Sequence, residues 1–301
     1  LTGKTPWNGI ALDRQVRGSW QSGTLNKLVQ EIGSSIEANS GTQYELVTDY
    51  AKWVLAIQAA GGAPLTVVYR RSGARHTATL TPTADENGHY KAGVWVRDSG
   101  AGIGTMSFVD PQRGTFAGLG HSISDADTGA DLTLLSGEIV PVTITGCIRG
   151  AAGSPGELRG EFAAAPAGTV LANDAAGVYG SYTGSCTAPA LPVANLQEVT
   201  PGEAELWTTV LGTTAQPYTI QVERVTMTGS DPNRNLLIRV TDKRLLDATG
   251  GVVQGMSGSP IVQNGRLAAV LTHVLVNDPS RGYAIFATTM LEKADAVASS
   301  K

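Results

Sequence analysis

Apolar and polar positions change rhythm near residue 84. Before it, "TDYAKWVLAIQAAGG" sets Tyr50, Val54, Ile57 and Gln58 near helical spacing and stops at Gly61-Gly62, which predicts one helix ended by glycine. "LTVVYRRSGARHTATLTPT" then alternates with period two on both sides of Ser72-Gly73, the pattern of a β-hairpin. "TADENGH" is a polar connector, and the domain boundary is expected close to it, dividing residues 1–84 from residues 85–301. Beyond it the pattern is strand, turn, strand: "GVWVRD", "TMSFVD", "TFAGLGHSI", "GEIVPVTITGCI", "GVYGSYTG", "AELWTTVLG", "YTIQVERVTM" and "NLLIRVT". Short strands at this density predict a barrel or sandwich. A short helical piece, "DKRLLDATGG", interrupts them, and "PIVQNGRLAAVLTHV" places Asn264-Gly265, a type I′ turn signal, between two apolar strands.

Composition agrees with a mainly β chain. The 301 residues are 42% hydrophobic and 16% charged, with 37 glycines and only 6% aromatics, which suits many tight turns in a globular protein. A formal charge of -4, with Lys and Arg scattered, supplies no surface for a phosphate backbone, so nucleic acid is not an expected partner. No stretch reaches the roughly 18 to 20 apolar residues of a membrane span, and Leu267–Val276 is broken by Thr272 and His273. The chain starts at Leu1 without an export signal, so any targeting segment is expected to lie upstream. Cys147 and Cys186 match no zinc spacing; ordinary thiols are the first reading and one disulfide the second. No cofactor or metal is expected.

The stretch "GGVVQGMSGSPIVQNG" holds the candidate chemistry. A serine hydroxyl attacks a carbonyl only with a base in reach and backbone N–H groups aimed at the oxyanion, and glycines beside it free the backbone to turn those groups inward. Ser257 has Gly255 two positions before it and Gly258 directly after. From these letters alone a Gly/Ser turn into a hairpin is the favoured reading. The esterase elbow is not satisfied, because Ser259 stands at its last glycine and a strand follows.

Of the four histidines, His76 and His89 fall in the early hairpin and connector, where solvated rings are common, and His273 lies inside an apolar strand as a packed residue. His121, ending a strand among glycines in "AGLGHSI", is the candidate base. Asp242 in "IRVTDKRLL" reads equally as an orienting acid and as the cap of the short helix that follows. Asp125, Asp127 and Asp131 in "SDADTGAD" depart from the calcium-loop pattern and read as a solvated turn. A cysteine hydrolase built on Cys147 finds no partner in "TGCIRG".

"GVWVRDSGAGIGTMSFVDP", "GLGHSISDADTG", "GELRG", "IRVTDKRLLDATGGVVQGMSGSPIVQNG" and "THVLVNDPSRGYAIF" together resemble the SpoIVB-type serine peptidases of spore-forming bacteria, over about residues 90 to 292. The resemblance implies a chymotrypsin-like double β-barrel with His121 as general base, Asp242 as orienting acid and Ser257 as nucleophile. "GMSGSP" is then similar to Gly-x-Ser-Gly-Gly-Pro, with the amides of Gly255 and Ser257 as oxyanion hole. Asp242 departs from chymotrypsin-like enzymes in lying only fifteen residues before Ser257.

The family implies a PDZ domain ahead of the peptidase; residues 1–84 are accordingly expected to be PDZ-like α+β, although Gly33-Ser34 stands where a Gly-Asp pair is usual. It also implies limited cleavage of a protein substrate between the two membranes around a forespore, a membrane-protein regulator among the substrates or partners, and self-cleavage. The competing function is a catalytically inactive PDZ-bearing peptide-binding protein.

Overall fold

A computed structural model describes residues 14–22, 35–37, 44–45, 50–71, 74–93, 100–124, 131–186, 188, 190–229 and 231–299. The Gly33-Ser34 pair, the Ser72-Gly73 turn, Asp125, Asp127 and residues 94–98 of "GVWVRD" lie outside them. The described parts of Ser19–Gly100 and Ser124–Leu135 form one compact unit; those of Lys4–Gly18, Ala101–Ile123 and Ser136–Lys301 form the other.

In the smaller unit the expected helix, α1, runs Tyr50–Ala60 and ends at Gly61 and Gly62, both at positive φ. Trp53 and Ile57, four residues apart on one face, are buried against Leu65 and Val67 of the adjoining sheet. That sheet has four strands in the order Tyr44–Glu45, Ser35–Glu37, Leu65–Arg71, Ala74–Leu80, and the last two are the antiparallel pair read from alternation. Gln58, near the helix end, clamps Tyr90 by accepting from its amide and donating to its carbonyl.

The larger unit contains a closed antiparallel barrel of six strands: β1 (Gly202–Thr208), β2 (Gln216–Val225), β3 (Leu236–Val240), β4 (Pro260–Gln263), β5 (Arg266–Val274) and β6 (Arg281–Phe286). They close in the order β1-β2-β3-β6-β5-β4. Strict alternation in "LLIRV" sends Leu236, Ile238 and Val240 inward, where they meet Leu206, Ile220, Ile261, Leu271 and Ala284. Each such Leu or Ile contributes about 1.5–3 kcal/mol on burial. The turn between β4 and β5 has Asn264 and Gly265 at φ 52° and 74°, as a type I′ turn requires.

A second sheet carries Leu132–Ile148, Gly168–Asp174, Gly177–Tyr182, Thr115–Gly118 and Met106–Asp110 in that order; Arg14–Ser22 and Gly100–Ile103 extend it beyond Leu132–Ile148, and Glu157–Phe162 pairs alongside. Barrel and half-barrel together give the mainly β, chymotrypsin-like arrangement.

Two helices adjoin the barrel. Helix α2 (Lys243–Thr249) is the short helix expected between β3 and β4, capped by Asp242 and ended by Gly250 at φ 79°. Helix α3 (Ala287–Ser299) has no counterpart in the patterning above, because two of its three buried positions are alanines and leave little apolar stripe to read. Its Ala287, Met290 and Ala294 are buried, and the last two pack with Ala117, Tyr179, Val270 and Ile285.

Candidate active site

The strand Thr115–Gly118 ends in a tight reversal. Leu119 has φ 69°, unusual for a residue with a side chain, and is held there by burial and by its amide donating to the Thr105 carbonyl at 3.0 Å. At Gly120, also at φ 69°, a Cβ would come within 2.9 Å of Thr272 Cγ2 and 3.1 Å of Ile285 Cγ2, so glycine alone lets the chain approach β5 and β6 this closely.

His121 follows, half-buried, with its ring centroid 4.8 Å from that of His273 on β5 and the planes 34° apart. Its Nδ1 lies 2.7 Å from the Ser122 carbonyl oxygen. A carbonyl only accepts, so Nδ1 carries the proton of the neutral ring and Nε2 keeps its lone pair. Asn173 clamps the next residue but one: it accepts from the Ile123 amide at 2.7 Å and donates to the Ile123 carbonyl at 3.0 Å.

Ser257 sits in the loop between α2 and β4. Its neighbours Met256 and Gly258 are buried. The Gly258 amide donates to Leu271 O at 2.7 Å, and the Ser257 carbonyl accepts from the Thr105 amide at 2.8 Å. Gly258 has φ 96°, and a Cβ there would collide with the carbonyl of Thr105 and lie 2.7 Å from the Leu119 amide. Ser259, standing where the chymotrypsin-like motif has glycine, is fully buried with its hydroxyl 3.4 Å from that of Thr105, which donates to Gly255 O at 3.2 Å. Thr105 thus holds both segments, bonding Leu119 two residues before His121 and Ser257 itself.

Two consecutive residues of β5 receive the two side chains. The hydroxyl of Ser257 donates to the Thr272 carbonyl at 2.7 Å, and the ring of His121 rests on His273. The amides of Gly255 and Ser257 donate to no described residue.

Asp242 is not brought to this pair. Register across β3, β6 and β5 sets Leu237 opposite Tyr283 and Tyr283 opposite His273. Asp242 is five residues further along, roughly 16 Å at the usual strand rise. There it caps α2 through the Arg244 amide at 2.8 Å, accepts from the Thr219 amide at 3.3 Å, and pairs with the Arg244 guanidinium at 2.7 Å. That guanidinium, with the two amides, holds its carboxyl down to about 2. Of the two readings open at the sequence level, the structure carries out the helix cap.

Pattern places His273 as a packed residue inside an apolar strand; the structure instead leaves it exposed, beyond fully buried Leu271 and Thr272, where a bulge between Leu271 and His273 shifts the register. Its outer edge meets solvent, yet crowding by the surrounding chain, the His121 ring and Arg234 hold it down to about 4, with Asp231 opposing them.

His76 and His89 lie exposed in the smaller unit. Asp131 is exposed and accepts from the Ser124 hydroxyl at 3.0 Å. Cys147 and Cys186 are free thiols, and burial pushes Cys147 up to about 11, away from a nucleophilic thiolate. Among the described residues no group of three His, Cys, Asp or Glu side chains is placed to hold a metal, and no helix is long and apolar enough to cross a membrane.

The Ser257 hydroxyl and the His121 ring lie against adjacent residues of one barrel strand, and the chain is a serine peptidase by its family. Residues 88–291, more than half of the chain, match the SpoIVB peptidase S55 family, and the chain belongs to it. Among solved structures, the active form of the Rv3671c protease from M. tuberculosis is 13% identical, with 86% of this chain and 93% of that one covered, at a TM-score of 0.37. The HtrA-type protease AlgW with decapeptide is 13% identical, with 83% and 67% covered, at 0.39. No curated protein matches the chain.

Proposed function

We propose that this serine peptidase is an endopeptidase in which Ser257 is the nucleophile, His121 the general base, and the amides of Gly255 and Ser257 the oxyanion hole. The observation that carries the reading is the convergence of both side chains on Thr272 and His273. For attack, the Ser257 hydroxyl leaves the Thr272 carbonyl and donates to Nε2 of His121. As Oγ bonds to the scissile carbonyl carbon, its proton passes to Nε2, and the carbonyl oxygen takes up negative charge facing the two amides. The imidazolium then gives that proton to the departing amine as the C–N bond breaks. Water enters and attacks the acyl carbon, losing a proton to Nε2, and the imidazolium returns that proton to Oγ as the acyl C–O bond breaks. The Ser122 carbonyl keeps Nδ1 protonated throughout.

The substrate is a protein or peptide, and family membership supports a sporulation role: cleavage of a membrane-protein regulator in the space between forespore and mother cell, with self-cleavage. Residues 1–84 act as a PDZ-like module ahead of a peptidase of residues 85–301. The helix α1 and the hairpin after it support that reading, and a peptide would add as a strand to the edge of the sheet.

A fluorophosphonate probe tests the chemistry. It labels the wild-type chain at Ser257 and labels neither Ser257→Ala nor His121→Ala; a folded wild-type chain left unlabelled returns the protein to the peptide-binding reading. Disruption of the gene blocks spore formation, restored by the wild type and not by Ser257→Ala. Purified wild-type chain fragments on incubation while Ser257→Ala stays intact; equal fragmentation of both removes self-cleavage.

A further inference from the structure

We propose that the larger unit carries a peptide-binding site of its own, a cavity that takes an extended peptide segment in which apolar residues alternate with Lys or Arg; the site is independent of the roles given to Ser257 and His121 above. The cavity holds about 1080 Å³ and is walled by the strand Met106–Asp110, the end of the strand Glu157–Phe162, the segment around Leu191 and residues of β1, β4 and β5. All of its described lining residues belong to the larger unit, and Ser257, His121, Thr272 and His273 are not among them. Along Ser259–Val262, Pro260 and Val262 line the cavity while the alternate residues Ser259 and Ile261 are fully buried.

The lining is chemically one-sided. Phe108, Phe162, Leu191, Trp207, Val262 and Leu267 supply apolar wall, and Phe162 and Leu191 stay 42% and 41% exposed, apolar surface that an occupant would take out of water. Asp110 and Glu161 are the only charged side chains among the described lining residues. Asp110 is already paired with Arg113 at 3.1 Å, whereas Glu161 pairs with no described residue, so the unmatched charge at the wall is negative. An anionic occupant, such as a fatty acid, is repelled there, and a Lys or Arg is matched.

Two features call for a peptide in place of a bare hydrocarbon. Ser107 lines the cavity, is 4% exposed, and has a hydroxyl that no described group bonds. A buried hydroxyl costs free energy until it meets a partner, and a peptide carbonyl is one. The strand Glu157–Phe162 is paired on one side with Leu132–Ile148, and just past its end the Ala163 amide donates to the Pro141 carbonyl at 2.8 Å. Alternation along an antiparallel pair then turns the amide and carbonyl of Phe162 outward, where no described strand takes them up. Nearer its start the same outer edge already bonds main chain, the Leu158 amide donating to the Gln254 carbonyl at 2.8 Å. A peptide adding beside Phe162 gains main-chain hydrogen bonds. Successive residues of the strand face opposite ways, so such a peptide sets its apolar side chains on the side of Phe162 and its basic ones on the side of Glu161.

The test uses the full chain carrying Ser257→Ala, so that bound peptide is not cleaved, and three probes: a capped heptapeptide alternating valine with lysine, its glutamate counterpart, and the lysine peptide N-methylated throughout. Fluorescence anisotropy measures affinity. Reaction of Cys186 with an aromatic disulfide reports where the peptide sits, because Cys186 is an exposed free thiol on the cavity wall while burial pushes the Cys147 thiol up to about 11. The lysine peptide binds and protects Cys186, and the glutamate and N-methylated peptides bind roughly tenfold more weakly or worse. Glu161→Lys, an exposed change that leaves the melting curve as it was, weakens the lysine peptide about threefold to tenfold and strengthens the glutamate peptide. Equal affinity for the lysine and glutamate peptides, affinity untouched by Glu161→Lys or by N-methylation, or binding that leaves Cys186 reactive overturns the site. Protection of Cys186 by dodecylammonium and not by the lysine peptide makes the cavity a lipid site and overturns it too, as does protection that rises with chain concentration alone, which assigns the cavity to a second copy. None of these outcomes touches the assignment of Ser257 and His121, which stands or falls on labelling of the wild-type chain.

Discussion

The hydroxyl of Ser257 donates to the carbonyl of Thr272 at 2.7 Å, so in this conformation its proton rests on β5. His121 rests on the next residue of the same strand. Thr105 and Leu271 fix the backbone around Ser257.

Ser257→Ala is expected to abolish labelling while keeping the fold. The side chain is only half-buried, and the loss is one hydrogen bond to a carbonyl, about 1 kcal/mol. Mass-spectrometric labelling and a melting curve on the same sample check both halves. Residual labelling at a neighbouring serine would remove Ser257 as nucleophile.

Gly258→Ala is expected to cost several times more stability and to silence the site. Its φ of 96° is unfavourable for a side chain, and the added carbon meets the Thr105 carbonyl and the Leu119 amide, the contacts that join the two catalytic segments. A loss of about 2–4 kcal/mol is expected from backbone strain and overpacking. A chemical denaturation series measures it, and a midpoint equal to wild type would show that Thr105 does not hold these segments together.

Asp242→Ala is expected to weaken the barrel and leave labelling within about twofold of wild type, because it removes a cap and an ion pair worth about 1–2 kcal/mol together. The Asp242 carboxyl is lowered from 3.8 to about 2 in the folded chain. Its contribution is therefore full above about pH 4 and disappears as pH falls toward 2, so wild type and variant converge in stability at the acid end. A large fall in labelling, with stability near wild type, would restore Asp242 to the catalytic group.

Asn173→Ala is expected to slow labelling with the barrel intact, since it releases both main-chain bonds of Ile123, two residues beyond His121. Leaving those groups unpaired costs roughly 1–3 kcal/mol. Hydrogen exchange at Ile123 is the direct readout, and unchanged protection there would dismiss the clamp.

Much of the fold could be read from order along the chain. Helix α1 and its glycine end, the barrel strands β1 to β5, the Asn264-Gly265 turn and the short helix α2 each depend on a local period or a turn residue, which neighbours in sequence fully specify. The sequence singles out His121 and Ser257 for a related reason. Glycines at 120, 255 and 258 mark where the backbone must come close or turn sharply, and such places collect reactive side chains. Helix α3 was not legible, since alanine buries in a helix without marking a stripe.

Sequence alone determined a β-rich chain with the motifs of a serine peptidase family, and it singled out His121 and Ser257, each beside glycines. Tertiary structure decided which other residues stand beside them. Asp242 lies near Ser257 along the chain, yet β3 carries it to the far end of the barrel and into the grip of Arg244. His273, sixteen residues after Ser257, lies beyond a bulge and against the ring of His121. The physical reason is that register and strand direction set distance across a barrel, and both arise from pairings between strands far apart in sequence.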